Sequence, residues 1–256
     1  MKIITAIKQV PVRDSSVHIA AGAKWYDEGD LSFEINEPDA YALEEALLLK
    51  EKHGGEVIVL CAGPERASQT IREALAKGAD RAIHLECDDL AGMDTLGVAH
   101  RLAAAAASEK PDLILTGLQS DDLGLGQTGV VMAEILGIPH ATIVMEVKAE
   151  GNSIHVKREL EDGWFQWVEM PLPALLTIQS GISKLRYATL MGIKKAKTRE
   201  VRRVAGASLA AATAPAISIE RIYPPPKRKE TQLIKGSPAE AATRMAEILK
   251  YEVRVI

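Results

Sequence analysis

Two hydrophobic rhythms alternate along the chain. Short, nearly continuous apolar runs occur at Ile3–Val10, Glu56–Cys61, Arg81–Glu86 and Asp112–Thr116. Runs of this length and character suit strands buried on both faces. Between them, apolar residues recur every three or four positions. Ala42, Leu43, Ala46, Leu47 and Leu49 give one such face, entered at Asn36-Glu37-Pro38-Asp39 and left at Gly54-Gly55. Proline in the first turn and acidic groups at the positive end of the dipole mark a helix start, with Asn36 or Glu37 at the cap. A second helix runs from Ala62-Gly63-Pro64 to Lys77 and stops at Gly78; a third, capped by Asp94, spans Thr95–Ser108. Val130–Leu136 forms a fourth, ended by Gly137 and Pro139. Strands alternating with helices through short connections predict a parallel sheet with helices on both faces. The polar stretch Val17–Ile35 alternates and predicts a hairpin of Trp25–Asp27 with Leu31–Ile35 around Gly29.

After Pro139 the period falls to two. Ala141–Lys148, Ser153–Leu160 and Gly163–Met170 are joined by turns at Gly151-Asn152 and Asp162-Gly163, which predicts an antiparallel meander at one sheet edge. Pro173–Gln179 is a further buried strand. From Ser183 to Arg203 the chain turns basic, with Glu200 as the opposing charge. Ala205–Ala216 is low in complexity, Pro224–Pro226 is stiff, and Ser237-Pro238-Ala239-Glu240 is a capping box opening a helix to about Tyr251. The expected division is an α/β domain at 1–204 and an arm at 205–256 that packs on a partner subunit.

Composition narrows the class. The chain has 256 residues, 47% of them hydrophobic and 26% charged, as in an ordinary globular protein. A net charge of −4 gives no general attraction to nucleic acid. No apolar run reaches the ~20 residues of a membrane span, and the first residues resemble a strand more than a targeting peptide. Two cysteines, Cys61 and Cys87, suggest a reducing compartment, so a cytoplasmic location is expected. The six histidines show no ligand spacing, and no metal is expected.

The stretch with most chemical content is Gly117–Gly129, GLQSDDLGLGQTG, between a strand and a helix. Such a junction offers unpaired backbone N–H groups and a positive dipole end to an anion. Gly124, Gly126 and Gly129 allow close approach of a ligand to the backbone. The spacing is neither GxGxxG nor a P-loop, and the stretch would also serve as a tight connection with nothing bound.

Several segments together resemble one family, the beta (small) subunits of electron transfer flavoproteins. They are Ala6-Ile7-Lys8-Gln9-Val10; the helix start from Asn36 to Ala46; Gly63-Pro64 with Leu75–Ala82; and the loop Gly117–Gly129. The most specific are Val156-Lys157-Arg158-Glu159-Leu160-Glu161-Asp162-Gly163 followed by Pro173–Thr177, and then Arg186-Tyr187-Ala188-Thr189-Leu190. The resemblance is strong over about residues 1–200 and looser in the arm.

It implies a doubly wound, mostly parallel α/β sheet, Rossmann-like and adenine-nucleotide-hydrolase-like, with an antiparallel edge and a C-terminal arm. It implies a heterodimer with an alpha subunit that holds most of the FAD, and AMP bound structurally in this chain. Electrons would pass from a flavin dehydrogenase towards a membrane quinone oxidoreductase, with no substrate turnover and no catalytic residue here. Carried over by position, the nucleotide site comprises Ala6, Asn36, Glu37, Pro38, Asp39, Ala62, Gln119, Ser120, Asp121, Asp122, Leu123, Gly124, Leu125, Gly126, Gln127, Thr128, Gly129 and Val130. Asp121 and Asp122 would accept bonds from ribose hydroxyls or loop N–H groups, or simply cap the loop. Glu159 corresponds to a carboxylate near the FAD and the subunit interface. Arg186, Tyr187, Leu190, Met191 and Ile193 correspond to the surface that docks on the dehydrogenase, with Leu190 as anchor. The Ser-Asp-Asp-Leu-Gly-Leu-Gly run before Gln127 departs from the acidic pattern of many members, including electron-bifurcating ones. That favours AMP over a second FAD in this chain. The alternatives are the bifurcating type and a nucleotide-sensing protein on the same fold.

Overall fold

The computed structural model describes residues 1–88, 90–209, 215–226 and 231–256. In chain order the elements are β1 (Lys2–Ile7), β2 (Gln9–Pro11), β3 (Phe33–Ile35), α1 (Glu37–His53), β4 (Glu56–Gly63), α2 (Ala67–Lys77), β5 (Arg81–Glu86), α3 (Thr95–Glu109), β6 (Leu113–Gly117), α4 (Thr128–Leu136), β7 (His140–Glu150), β8 (Ser153–Glu159), β9 (Phe165–Pro171), β10 (Ala174–Ile178), α5 (Leu190–Ala196), β11 (Val201–Ala205) and α6 (Pro238–Glu247).

Among the described residues one sheet has nine strands in the order β11-β5-β4-β1-β6-β10-β7-β8-β9. Neighbours run parallel from β11 to β7, and β7, β8 and β9 form the antiparallel edge. The doubly wound fold and the meander are thus as expected. Strand alternation sorts the core into two layers. Ile3, Val57, Val59, Leu113 and Leu115 pack with Leu43, Leu47 and Ile71 of α1 and α2. Ile4, Ile58, Leu60, Ile83 and Ile114 pack with Leu102 of α3 and Met132 of α4.

This winding positions the site. From β1 the chain passes through α1 to β4 on one side. It later returns through α3 to β6 on the other side of β1. The helices that follow β1 and β6, α1 and α4, cover opposite layers. The strand order therefore reverses between β1 and β6, and a crevice opens beyond their carboxyl ends, where ligands of open α/β sheets bind.

Three segments differ from the sequence expectation. The strand read as Ile3–Val10 breaks after Ile7, because the Lys8 N–H donates to Asp39 Oδ2 at 2.8 Å instead of joining the ladder. The 17–35 hairpin does not form. Phe33–Ile35 instead pairs antiparallel with Gln9–Pro11, and the excursion holds an isolated Ile19–Tyr26 bridge. That pairing buries Val10 and Ile35, at 1% and 7% exposure, which the local hairpin has no core to do. The basic run ends in an edge strand: β11 pairs parallel with β5 from Val201↔Ala82 to Ala205↔Glu86. Its arginines find carboxylates on distant segments, Arg202 on Glu109 and Arg203 on Glu65 and Glu86.

The chain divides into two compact units, Met1–Ile222 and Tyr223–Ile256. In the second, α6 starts with the expected capping box, Ser237 and Glu240 each bonding the other's backbone, and runs on into a wider turn over Ile248–Val253. Residues 210–214 of the alanine-rich stretch lie outside the described residues.

Candidate functional site

The crevice is built from the end of β1, the start of α1 and the connection from β6 to α4. Asn36 stands at the N-cap of α1, but its side chain makes no cap bond. Its Nδ2 donates to the Gln119 carbonyl at 2.8 Å, and its Oδ1 accepts from the Asp121 N–H at 2.9 Å. One side chain thus pins the first turn of the loop. Asp39, buried in the first turn of α1, accepts from the N–H groups of Lys8 and Gly117, both at 2.8 Å. It ties together the ends of the two strands at which the order reverses. Burial pushes its carboxyl up to about 6, against the bonds from Lys8 and Gly117, which favour the charged form. Gly117 has no room for a side chain, since a Cβ would come 2.5 Å from Asp39 Oδ1.

The aspartates of the loop are held within the chain. Asp122 accepts from Lys8 Nζ at 2.6 Å and 2.7 Å and from its neighbour Leu123 N–H at 2.8 Å. Asp121 accepts from the Glu37 N–H at 3.3 Å, and its carboxylate lies 3.6 Å from Arg13. Asp121 thus leans on the start of α1, and Asp122 on Lys8 and its own loop. Tyr26, half-buried, has its hydroxyl pushed up to about 12 by burial and by the charges of Asp122 and Glu28.

What remains open is the backbone. Gly124 and Gly126 adopt φ of +63° and +64°, a left-handed conformation that glycine takes without strain. The Gln127 side chain makes no cap bond to α4. Among the described residues, nothing accepts from the N–H groups of Leu125 to Val130. Gly129 seats this helix end on the sheet; a Cβ there would lie 2.7 Å from both Thr116 Oγ1 and Thr177 Cγ2. The run of donors thus coincides with the positive dipole end of α4, and the nearby Lys8 ammonium is committed to Asp122. Ala6 is buried in β1 beside Leu60, and Ala62 lies near the carboxyl end of β4. The thiol next to Ala62, Cys61, is buried and pushed up to about 12, which makes it inert.

The residues expected at a docking surface lie elsewhere in this unit. Tyr187, Leu190, Met191 and Ile193 are exposed, with Tyr187 at 92% and Leu190 at 81%. Leu190 is thus not a core leucine. Arg186 instead turns inward onto Glu44 and Glu51. Glu159, at the end of β8 opposite Phe165, has no ion-pair partner among the described residues.

The model of the electron transfer flavoprotein domain matches residues 24–209. The chain belongs to the electron transfer flavoprotein family. Similar proteins include the electron transfer flavoprotein subunit beta of Methylophilus methylotrophus, 37% identical over 97% of this chain and 98% of the relative. The subunit beta of Bacillus subtilis (strain 168) is 34% identical over 100% of both chains. That of Dictyostelium discoideum is 33% identical over 98% of this chain and 97% of its own. The beta-subunit resemblance drawn from the sequence motifs is thus shown over the full length. Two cations that the sequence did not single out, Lys8 and Arg13, lie against the loop aspartates Asp122 and Asp121. The one available signal was a lysine placed directly after the first buried strand, at the ligand-facing end of the sheet. No helix among the described residues is long and apolar enough to cross a membrane.

Proposed function

We propose that this chain is the beta subunit of a heterodimeric electron transfer flavoprotein that holds AMP in the β1/β6 crevice. It turns over no substrate of its own. The observation that carries the reading is the run of uncommitted N–H groups from Leu125 to Val130 at the uncapped start of α4. Those groups would hold the phosphate, with the Thr128 hydroxyl beside them, while Ala6, Ala62 and the turn Asn36–Asp39 would border the base and ribose. The donor set fits a single phosphate. Asp122 neutralises Lys8 at 2.6 Å, so this pair adds no net positive charge for a polyphosphate. This supports AMP over a second FAD, and a carrier over a bifurcating protein.

The redox chemistry is supplied by FAD, bound mainly by the alpha subunit. This chain's part is to fix the nucleotide loop, to contribute Glu159 near the flavin, to pack its arm on the alpha subunit, and to present the docking segment. Leu190, with Tyr187, Met191 and Ile193 around it, is the apolar anchor for a flavin dehydrogenase. Small contacts with one well-exposed anchor suit transient electron transfer. Electrons then leave towards a membrane quinone oxidoreductase, and the protein works in the cytoplasm.

The test is nucleotide content. The chain is co-expressed with its alpha partner, the purified complex is denatured, and released nucleotides are quantified by chromatography. One FAD and one AMP per heterodimer is the expected result. Two FAD and no AMP would overturn the structural-nucleotide reading in favour of bifurcation. No FAD and no co-purifying subunit would point to a nucleotide-sensing protein.

A further inference from the structure

We propose that Glu44 and Glu51 of α1 are positioning residues for partner docking, acting through Arg186 to hold the segment 186–196 in one shape. The inference rests on the reading of Leu190 as the docking anchor.

The segment has little reason to be ordered by itself. The chain from Gln179 to Thr189 has no helix or strand, and α5 is seven residues long. A helix that short is unstable in isolation. Its outward side carries the exposed Leu190, Met191 and Ile193, and Ala196 is the one buried residue of α5; the apolar footing of the segment is Leu185 and Ala188, partly buried against the core just before the helix.

Fixed polar contacts add to this small apolar footing. On the N-terminal side, the Arg186 guanidinium forks onto Glu44: Nε donates to Oε1 and Oε2 at 3.0 Å and 2.9 Å, and Nη2 to Oε1 at 2.8 Å. The Arg186 backbone N–H donates to the same carboxylate at 3.1 Å. Nη1 reaches Glu51 Oε1 at 2.6 Å. Glu44 and Glu51 lie about two turns apart on one face of α1, so a single planar group bridges both. The Glu44 side chain is 6% exposed and Arg186 is 27% exposed, so the pair is largely shielded from water. The residue after Arg186 is Tyr187, at 92% exposure. The clamp therefore turns the chain outward at the start of the docking face.

Further contacts fix the rest. Thr189 caps α5, its hydroxyl accepting from the Gly192 N–H at 3.0 Å. Gly192 lies so close to α2 that a Cβ would come 2.2 Å from the Ala76 carbonyl. At the far end, Arg72 of α2 donates to the carbonyls of Ala196 and Arg199 at 2.5 Å and 2.9 Å. With both ends held, the anchor is presented in advance, and docking does not have to order it.

The test uses the FAD-loaded heterodimer carrying Glu44→Gln, Arg186→Ala, both together, or Leu190→Ala. KM and kcat are measured with a reduced acyl-CoA dehydrogenase or a reduced amine dehydrogenase, whichever the wild type oxidises faster. Amide hydrogen exchange over 187–196 is measured without any dehydrogenase. The expected result is a KM raised about tenfold by Glu44→Gln and by Arg186→Ala, with kcat little changed and no further loss in the double variant. Exchange over 187–196 is faster in all three. If Arg186→Ala raises KM while Glu44→Gln leaves KM and exchange as in the wild type, Arg186 touches the partner directly and the positioning role is refuted. If exchange rises but KM does not, while Leu190→Ala raises KM, preorganisation is irrelevant to docking and the proposal also fails. If Leu190→Ala itself is silent, the docking reading falls, and the proposal falls with it; the exchange data then still report whether the clamp orders the segment.

Discussion

Asp39 gives the sharpest test of the crevice. Its carboxylate holds the ends of β1 and β6 through two backbone N–H groups, yet it is buried, and its carboxyl is raised from 3.8 to about 6. For an acid, a raised value in the folded state means that folding favours the protonated form. The stabilisation is full below the unfolded value, near pH 4, and is lost as pH rises through 6. A rise of this size corresponds to about 3 kcal/mol between the two limits. The perturbation is Asp39→Asn, which keeps the shape and one acceptor but cannot ionise. It leaves one buried N–H facing an amide donor, at a cost of about 1–3 kcal/mol. Urea unfolding of both proteins, followed by tryptophan fluorescence at pH 4, 5, 6 and 7, measures the difference. The wild type should lose its advantage over the variant by about 3 kcal/mol between pH 4 and 7, so that the variant is closest to it, or more stable, at neutral pH. A difference that stays constant over that range would refute the argument that burial dominates at Asp39.

Two other changes probe the loop. Gly129→Ala places a methyl 2.7 Å from Thr116 and Thr177, both buried, so overpacking of about 1–3 kcal/mol is set against about 1 kcal/mol of helix propensity. A lower melting temperature and weaker AMP retention are expected, and a higher melting temperature would refute the close-approach reading. Lys8→Met strips the partner from Asp122, whose side chain is 11% exposed while Lys8 is 38% exposed. With that partial exposure the loss is about 1–2 kcal/mol of stability, and AMP affinity, measured by calorimetry, should fall about tenfold; unchanged affinity would remove Lys8 from the site.

Much of this molecule was legible in local pattern. Arg81–Glu86 was read to the residue, because a buried parallel strand bounded by glycine and acidic residues has no competing helical period. Asp94 and Ser237 were recognisable as caps because capping chemistry is confined to four consecutive residues. The glycines before α4 marked the left-handed backbone of the loop, which Gly124 and Gly126 adopt, because that conformation is written in the residue type itself. What the tertiary structure alone decided are matters of long-range partnership. Phe33–Ile35 left its expected hairpin for Gln9–Pro11, where a core was available to bury Val10 and Ile35. The basic tail of the domain became an edge strand because Glu65, Glu86 and Glu109, far away in sequence, neutralise Arg202 and Arg203. Asn36 gave up its cap to pin the loop at Gln119 and Asp121, Lys8 found Asp122, and Arg186 turned from a surface to a clamp. A charge or an amide carries no periodic signature of its partner, so these pairings exist only once folding has brought the segments together.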